Sequence, residues 1–251
     1  MEILVCVKRV PATTTRVTVG PDGKSLDPTG VEYVLNPYDE FAVEEALRLK
    51  EAAGEGSVTA FSFGGAEAQK ELRTVLAMGA DAAVLLQSEA AAAADGATTA
   101  RVLAEALRGR SFDLILFGKQ AVDLDQHGVG PMVATLLGIP CISEVVALEV
   151  ADGKVTAERE VEGGREVVEA PLPCAVTAQK GLNEPRYASL KGIMAAKKKP
   201  LEVVEVDPGE AAVEVVSMSP PPPRPPGRIV GEGPDAVPEL LRLLQEEAKV
   251  L

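Results

Sequence analysis

The residues whose types and spacing are best suited to binding a ligand lie between positions 118 and 130, in the sequence GKQAVDLDQHGVG. Gly118 lets the backbone approach a ligand closely, and Asp123 and Asp125 can accept hydrogen bonds from ribose hydroxyls. A helix that begins near position 128 would offer free N–H groups and the positive end of its dipole to a phosphate. The segment therefore predicts a nucleotide-binding loop, and the alternative is a loop that only caps a helix.

The surrounding pattern predicts the elements that position this loop. Apolar runs alternate with helical segments, which is typical of a doubly wound, mainly parallel α/β sheet. Ligands bind at the carboxyl ends of such strands, so Cys6, Asn36, Phe63 and the loop after Phe117 are expected to line one crevice. The predicted strands are residues 3–7, 58–63, 83–86 and 114–117, and the predicted helices are residues 37–53, 66–78, 97–107 and 132–137.

Three stretches depart from this alternation. Residues 16–19 and 31–35 are predicted to form a hairpin, after which Asn36 accepts a backbone N–H as the cap of the next helix. Beyond residue 199, a proline tract at 220–226 tethers an amphipathic helix near residues 238–248, whose apolar face needs another surface. An antiparallel meander is predicted to extend the sheet through residues 145–150, 154–161, 166–169 and 174–177.

The composition argues against several function classes. A net charge of -13 repels phosphodiester backbones, so nucleic acid is not an expected partner. Cys6, Cys141 and Cys174 lie far apart without metal or disulfide spacing, and a reducing cytoplasm is the expected compartment. The apolar start is too short for a signal sequence or a membrane span, so direct membrane insertion is not expected. His127, the single histidine, has no nucleophile or acidic partner in a fixed motif and is assigned no catalytic role.

A second functional segment lies at residues 182–199. Its NEPRY text breaks regular structure, and the short helix that follows presents Leu190, Ile193 and Met194 beside several lysines. An apolar anchor with a charged rim is typical of transient protein interfaces. The alternative is that Leu190 and Met194 pack inward on their own sheet.

The text LNEPRYASLKGIMAAKKKP at residues 182–200 closely resembles the signature segment of electron transfer flavoprotein β subunits. Similar text matches that family at residues 7–11, 35–51, 76–81 and 118–125, so the resemblance covers most of the first 200 residues. It implies a Rossmann-like fold, a heterodimer with an α subunit, an AMP bound by this chain and an FAD held mainly by the α subunit. Electrons would arrive from acyl-CoA dehydrogenases and leave to a membrane quinone oxidoreductase or another acceptor.

The resemblance also implies roles for individual residues. Leu190 would be the anchor that a dehydrogenase pocket receives. The implied AMP site comprises Cys6, Asn36, Asp39, Phe63, Gly118, Ala121 and Asp123, with a phosphate loop of Asp125, Gln126, His127, Gly128, Val129 and Gly130. Tyr38, Arg159 and Glu160 are implied near FAD and the α-subunit interface. The implied recognition segment comprises Leu182, Asn183, Glu184, Pro185, Arg186, Tyr187, Leu190, Ile193, Met194 and Lys197.

The expected organisation is a nucleotide-binding domain at residues 1–181, a partner recognition loop at 182–200, and a C-terminal arm at 201–251 whose helix packs on the α subunit. Residues 126–129 differ from the usual family loop, which leaves open a bifurcating-type subunit with a second FAD in place of AMP. A stand-alone adenine-nucleotide-binding protein is a further alternative. A nucleotide hydrolase on the same fold is disfavoured, because the sequence has neither an S-G-G-x-D-S loop after the first strand nor a P-loop lysine.

Overall fold

A nine-stranded sheet organises the chain, of which a computed structural model describes residues 1–224 and 226–251. The strands in the described part are β1 (Glu2–Cys6), β2 (Arg9–Pro11), β3 (Tyr33–Leu35), β4 (Ser57–Gly64), β5 (Ala82–Gln87), β6 (Leu114–Gly118), β7 (Cys141–Ala151), β8 (Lys154–Val161), β9 (Gly164–Pro171), β10 (Cys174–Ala178) and β11 (Leu201–Glu205). The α-helices there are α1 (Pro37–Ala53), α2 (Gln69–Met78), α3 (Gly96–Leu107), α4 (Val129–Leu137), α5 (Leu190–Ala196) and α6 (Val237–Glu246).

The strand order of the large sheet is β11-β5-β4-β1-β6-β10-β7-β8-β9. Strands from β11 to β7 are parallel to their neighbours, and β8 and β9 extend the sheet in antiparallel fashion. This arrangement confirms the predicted doubly wound, mainly parallel α/β sheet with an antiparallel extension.

Helices cover both faces of the parallel part because the central strands have no polar face. Ile3 and Val5 point into the cluster built with α1 and α2, whereas Leu4 and Cys6 point into the cluster built with α3 and α4. Each fully buried Val, Leu or Ile side chain contributes about 1.5–3 kcal/mol relative to an exposed one. The two apolar layers thus fix which helix lies on which side of the sheet.

The predicted hairpin is only partly correct. β2 pairs with β3, with Val10 opposite Val34, and the turn around Gly23 forms with a φ of 66°. The predicted strand at residues 16–19 is wrong: its single ladder contact is an isolated bridge between Val19 and Leu26. Val17 is 71% exposed, so this stretch has no apolar surface against which to pack.

The predicted antiparallel meander is wrong in its last strand. β10 is parallel to both neighbours and lies between β6 and β7. All five of its residues are buried, as expected for a central strand covered on both faces. β7, β8 and β9 do form the antiparallel extension.

β11 was not predicted from the sequence. This strand pairs in parallel with β5 and forms the edge of the sheet, so the segment containing α5 is a crossover between β10 and β11. Residues 201–205, which the sequence analysis assigned to the arm, therefore belong to the central sheet.

The chain beyond β11 first crosses α3 and then leaves the sheet. The Asp95 carboxylate accepts the N–H groups of Ala212 and Val213, and the Met218 N–H donates to the Gly23 carbonyl. Pro225, within the predicted proline tract, lies outside the described residues. The predicted terminal helix is confirmed as α6, where Leu240 is 43% exposed. In the described residues, no helix combines the length and the apolar character needed to cross a membrane.

Candidate functional site

The topological switch point of the sheet lies between β1 and β6. At this edge Cys6 stands opposite Phe61 of β4 and Phe117 of β6. Because the strands are parallel, their carboxyl ends and the loops that follow them meet here. The structure therefore brings the predicted crevice residues from β1, β4 and β6 to one edge.

Asn36 and Asp39 connect α1 to this edge through a buried network. Asn36 Nδ2 donates to Asp39 Oδ1 and to the Gln120 carbonyl, each at 2.8 Å, and Asn36 Oδ1 accepts the Val122 N–H at 3.2 Å. The predicted capping role of the Asn36 side chain is wrong, since only its backbone carbonyl accepts N–H groups of the first turn of α1. The side chain holds the loop after β6 instead.

The Asp39 carboxylate receives N–H groups from two strand ends. Its Oδ2 accepts the Lys8 N–H at 2.7 Å, and its Oδ1 accepts the Gly118 N–H at 3.2 Å. Burial raises the pKa of Asp39 to about 7, although the hydrogen bonds from Asn36 and the two amides act in the opposite direction. Burial and the nearby Asp39 charge raise the pKa of the Cys6 thiol well above its ordinary value, so Cys6 is a neutral packing residue.

Two glycines allow the backbones of these elements to approach closely. A Cβ at Gly118 would lie 2.7 Å from the Tyr38 carbonyl carbon and 2.8 Å from the Asp39 nitrogen. A Cβ at Gly130 would lie 2.9 Å from Thr177 Cγ2. The start of α4 and the start of α1 can therefore both reach the strand ends only because these positions lack a side chain.

Residues 120–127 form a compact loop between β6 and α4. The Asp125 N–H donates to the Ala121 carbonyl at 2.9 Å, and Ala121 also forms a bridge with Gln126. Asp125 has a φ of 49°, and its carboxylate accepts a 2.5 Å hydrogen bond from the Gln120 side chain. Val129 and Gly130 at the start of α4 precede the first helical hydrogen bond, which the Met132 N–H donates to the Gly128 carbonyl, so an anion can accept their N–H groups.

Lys8 closes the other side of this loop. Its Nζ donates to Asp123 Oδ2 at 2.6 Å, which joins the segment after β1 to the loop of residues 120–127. Lys8 was not predicted as a site residue, although it lies in the VKRVP sequence. The position of Lys8 directly after a buried strand that ends at the expected crevice could have indicated a site residue.

His127 lies on the exposed side of the loop. Its Nδ1 is 3.9 Å from Glu144 Oε1, and its side chain is 47% exposed. Gly128 precedes Val129, the first residue of α4. The geometry places His127 at the edge of the loop.

The three residues predicted near the flavin lie on different elements. Tyr38 is in the first turn of α1, with Lys119 Nζ 5.4 Å from its ring centroid. Arg159 and Glu160 are on β8, where Glu160 is exposed. Arg159 Nη1 lies 3.9 Å from Glu166, and its buried Nε has no hydrogen-bond partner in the described part of the chain.

The first part of the predicted recognition segment is fixed to α1. Leu182 is buried, and Asn183 Nδ2 donates to the Phe41 carbonyl and to Glu45. Of the next two residues, Glu184 is exposed and Pro185 is half-buried.

Arg186 supplies the main ionic contact of the segment. Its guanidinium donates to Glu44 at 2.7 and 3.0 Å and to Glu51 at 2.6 and 3.1 Å. The hydrogen bonds that Arg186 donates to Glu51 and Glu44 raise the pKa of its guanidinium further above its ordinary value. Arg186 thus holds the loop on α1 of its own chain.

The second part of the segment is turned outward. Tyr187 is 98% exposed, Leu190 84% and Met194 63%, and Ile193 and Lys197 are also exposed. The structure therefore does not show the inward packing of Leu190 and Met194 that was the alternative.

The short helix α5 is capped at both ends. Ser189 Oγ accepts the Gly192 N–H at its start, and Arg73 Nη1 donates to the carbonyls of Ala196 and Lys199 at its end. In return, Lys199 Nζ donates to carbonyls at the end of α2 at 3.0 and 2.6 Å. An exposed apolar tip on a fixed base is suited to docking without large rearrangement.

Comparison with known proteins gives consistent matches along the chain. A family model described as "Electron transfer flavoprotein domain" matches residues 24–209. The chain is 44% identical to "Electron transfer flavoprotein subunit beta" of Bacillus subtilis (strain 168), with both proteins covered completely. It is 41% identical to the protein of the same name from Sus scrofa, covering 100% of this chain and 99% of the relative, and 40% identical to that of Homo sapiens, covering 96% of each.

Proposed function

The chain belongs to the electron transfer flavoprotein family, and we propose that it acts as the β subunit of a heterodimer with an α subunit. In this role it binds AMP, helps to hold FAD at the subunit interface and has no catalytic residue of its own. Electrons pass from acyl-CoA dehydrogenases to a membrane quinone oxidoreductase or another acceptor. The observation that carries the proposal is the family match over residues 24–209, which includes both the nucleotide loop and α5.

The crevice residues support the AMP assignment. The start of α4 offers N–H groups to a phosphate, and the close packing of Gly118 against the start of α1 brings the loop after β6 to the carboxyl ends of the strands. Asp123 and Asp125 provide acceptors for ribose hydroxyls on the same loop. Cys6 and Phe63 supply apolar surface at the ends of β1 and β4, which suits an adenine ring.

The second cofactor, FAD, supplies the redox chemistry when it is bound. On this chain we assign Tyr38, Arg159 and Glu160 to the surface that faces it. The buried Arg159 Nε lacks a partner in the described part of the chain, which fits a residue that meets a group from outside.

The nucleotide content of the purified heterodimer tests this assignment. The nucleotides are released by denaturation and identified by mass spectrometry. One FAD and one AMP per heterodimer are expected, whereas two FAD would support the bifurcating-type subunit. A solitary chain that carries an adenine nucleotide and never binds an α subunit would support the stand-alone alternative.

The exposed tip of residues 187–197 is proposed to dock on the dehydrogenase through Leu190. Leu190→Ala should slow flavin reduction by the dehydrogenase and leave the flavin content intact, because the tip touches the donor and not the cofactor. Val167→Ala, at a 67% exposed valine on β9, is the matched control. Loss of flavin with unchanged donor affinity would refute the docking role.

The arm that ends in α6 is proposed to pack on the α subunit. Deleting the chain after Pro226 should weaken assembly of the heterodimer. The double variant Leu240→Ser, Leu241→Ser keeps the arm length but removes its apolar face, and it should weaken assembly as well. An unchanged heterodimer yield from both proteins would refute the arm assignment.

A further inference from the structure

Asn36 and Asp39 are committed to bonds within their own chain. The two N–H donations of the Asn36 amide go to Asp39 and Gln120, and its oxygen accepts from Val122. The two Asp39 oxygens accept from Asn36, Gly118 and Lys8. Asn36 is 1% exposed and Asp39 is 5% exposed, so a ligand would have to break this network to reach either side chain.

The network joins three separate parts of the crevice. Lys8 follows β1, Gly118 ends β6, and residues 120–122 begin the nucleotide loop, while both side chains come from the start of α1. The pair therefore fixes the distance between the two strand ends and the path of the loop. A loop held in its binding shape before the ligand arrives loses less conformational entropy on binding.

We infer that Asn36 and Asp39 are positioning residues whose side chains hold the nucleotide loop in its binding shape and form no hydrogen bond with the nucleotide. This inference rests on the proposed nucleotide-binding function, for which the resemblance had implied that both residues belong to the AMP site. The ligand contacts then fall to the backbone of the loop and to the start of α4.

The test compares Asp39→Asn and Asn36→Ala with Glu40→Gln. The control removes a carboxylate from the same turn of α1, where Glu40 makes no side-chain hydrogen bond within the described residues. The full chain is refolded without nucleotide, and two quantities are measured: AMP affinity by calorimetry, and amide hydrogen exchange by NMR in the empty protein. The exchange measurement separates positioning from contact, because a residue that only touches the ligand does not protect the empty loop.

Each variant should weaken AMP binding about tenfold or more, since a hydrogen bond to a charged or buried partner is worth about that factor. In the empty protein, Asp39→Asn should accelerate exchange at the Lys8 and Gly118 amides at least tenfold, and Asn36→Ala should do so at Val122. The control should change neither quantity. Weaker AMP binding with unchanged exchange would mean direct contact and would overturn the inference, as would variants that bind normally.

The wild-type protein provides a test that no folding defect can obscure. In the nucleotide-free protein, the Lys8, Gly118 and Val122 amides should exchange at least tenfold more slowly than the exposed Leu124 amide. Equal exchange rates would overturn the inference. If the wild type binds no AMP, the proposed function fails, whereas slow exchange at these three amides would still support the positioning role within the fold.

Discussion

Replacing Arg186 with alanine should detach the base of the predicted recognition segment from α1. Arg186 is the only residue of the described segment 182–197 whose side chain bonds two carboxylates, those of Glu44 and Glu51. The Glu44 side chain is 6% exposed, so Arg186→Ala would leave a buried carboxylate without its cation. The Glu51 side chain is 59% exposed and would be solvated instead.

The expected cost follows from these exposures. Stranding one partner of a buried ion pair costs about 3–5 kcal/mol. The Arg186 side chain is 33% exposed, which screens part of the interaction, so we expect a loss of about 2–3 kcal/mol. For a chain of this size, that loss corresponds to a fall in melting temperature of about 4–12 °C. Adding Glu44→Gln should restore about 1 kcal/mol, because it removes the stranded charge.

Urea unfolding and calorimetric melting measure these changes. Arg165→Ala is the control, since Arg165 faces Glu158 at 3.2 Å with both side chains exposed, at 60% and 43%, and such pairs are worth about 0–1 kcal/mol. An Arg186→Ala loss no larger than that of Arg165→Ala would refute the reasoning. So would a Glu44→Gln, Arg186→Ala double variant less stable than the sum of the two single changes.

Three further predictions concern the crevice and residues 207–218, which cross α3 and are called the strap. Burial raises the pKa of Asp39 from 3.8 to about 7, so the folded protein holds a proton on this carboxyl more tightly than the unfolded chain does. The stability that this proton contributes is complete below pH 3.8 and is lost as the pH rises towards 7. Relative to Asp39→Asn, the free energy of unfolding should fall by up to about 1.4 kcal/mol per pH unit between pH 5 and 7, and a flat difference in urea titrations would contradict this. Gly118→Ala should destabilise the fold by about 1–3 kcal/mol and lower nucleotide content, while Gly164→Ala, with open space around it, should change neither. Asp95→Ala should cost about 1–2 kcal/mol and speed protease cleavage within residues 207–218, whereas Asp95→Asn should keep the α3 cap; equal cleavage rates would count against the strap.

Local patterns in the sequence were sufficient to predict the class of the sheet and most of the strands and helices. Alternating apolar runs and helical segments predicted β4, α2, β5, α3, β6 and α4 at nearly their observed bounds. The outward-facing apolar tip was also predictable, because Leu190, Ile193 and Met194 share a short polar helix with several lysines. These features depend on neighbours within a few residues, which periodicity and composition describe directly.

The errors lie where a segment pairs with a distant one. β10 follows the antiparallel strands along the chain but enters the sheet beside β6, and β11 pairs with β5 from more than 110 residues away. The residue pattern of a strand does not indicate which other strand it pairs with. Because β10 directly follows β9 along the chain, a meander was predicted. The sequence of β10, which is apolar except for Thr177, was the one available sign of a central position.

The site residues show the same difference between local features and contacts of distant residues. The sequence by itself determined the fold class, the family resemblance, the position of the loop at 118–130 and the apolar cluster of α5, since each is a property of a contiguous stretch of residues. Only the tertiary structure decided that Asp39 accepts the Gly118 N–H, that Lys8 reaches Asp123 and that Arg186 binds Glu44. Those bonds join residues 79, 115 and 142 positions apart, and such pairs meet only after the sheet has set the distances between its strand ends.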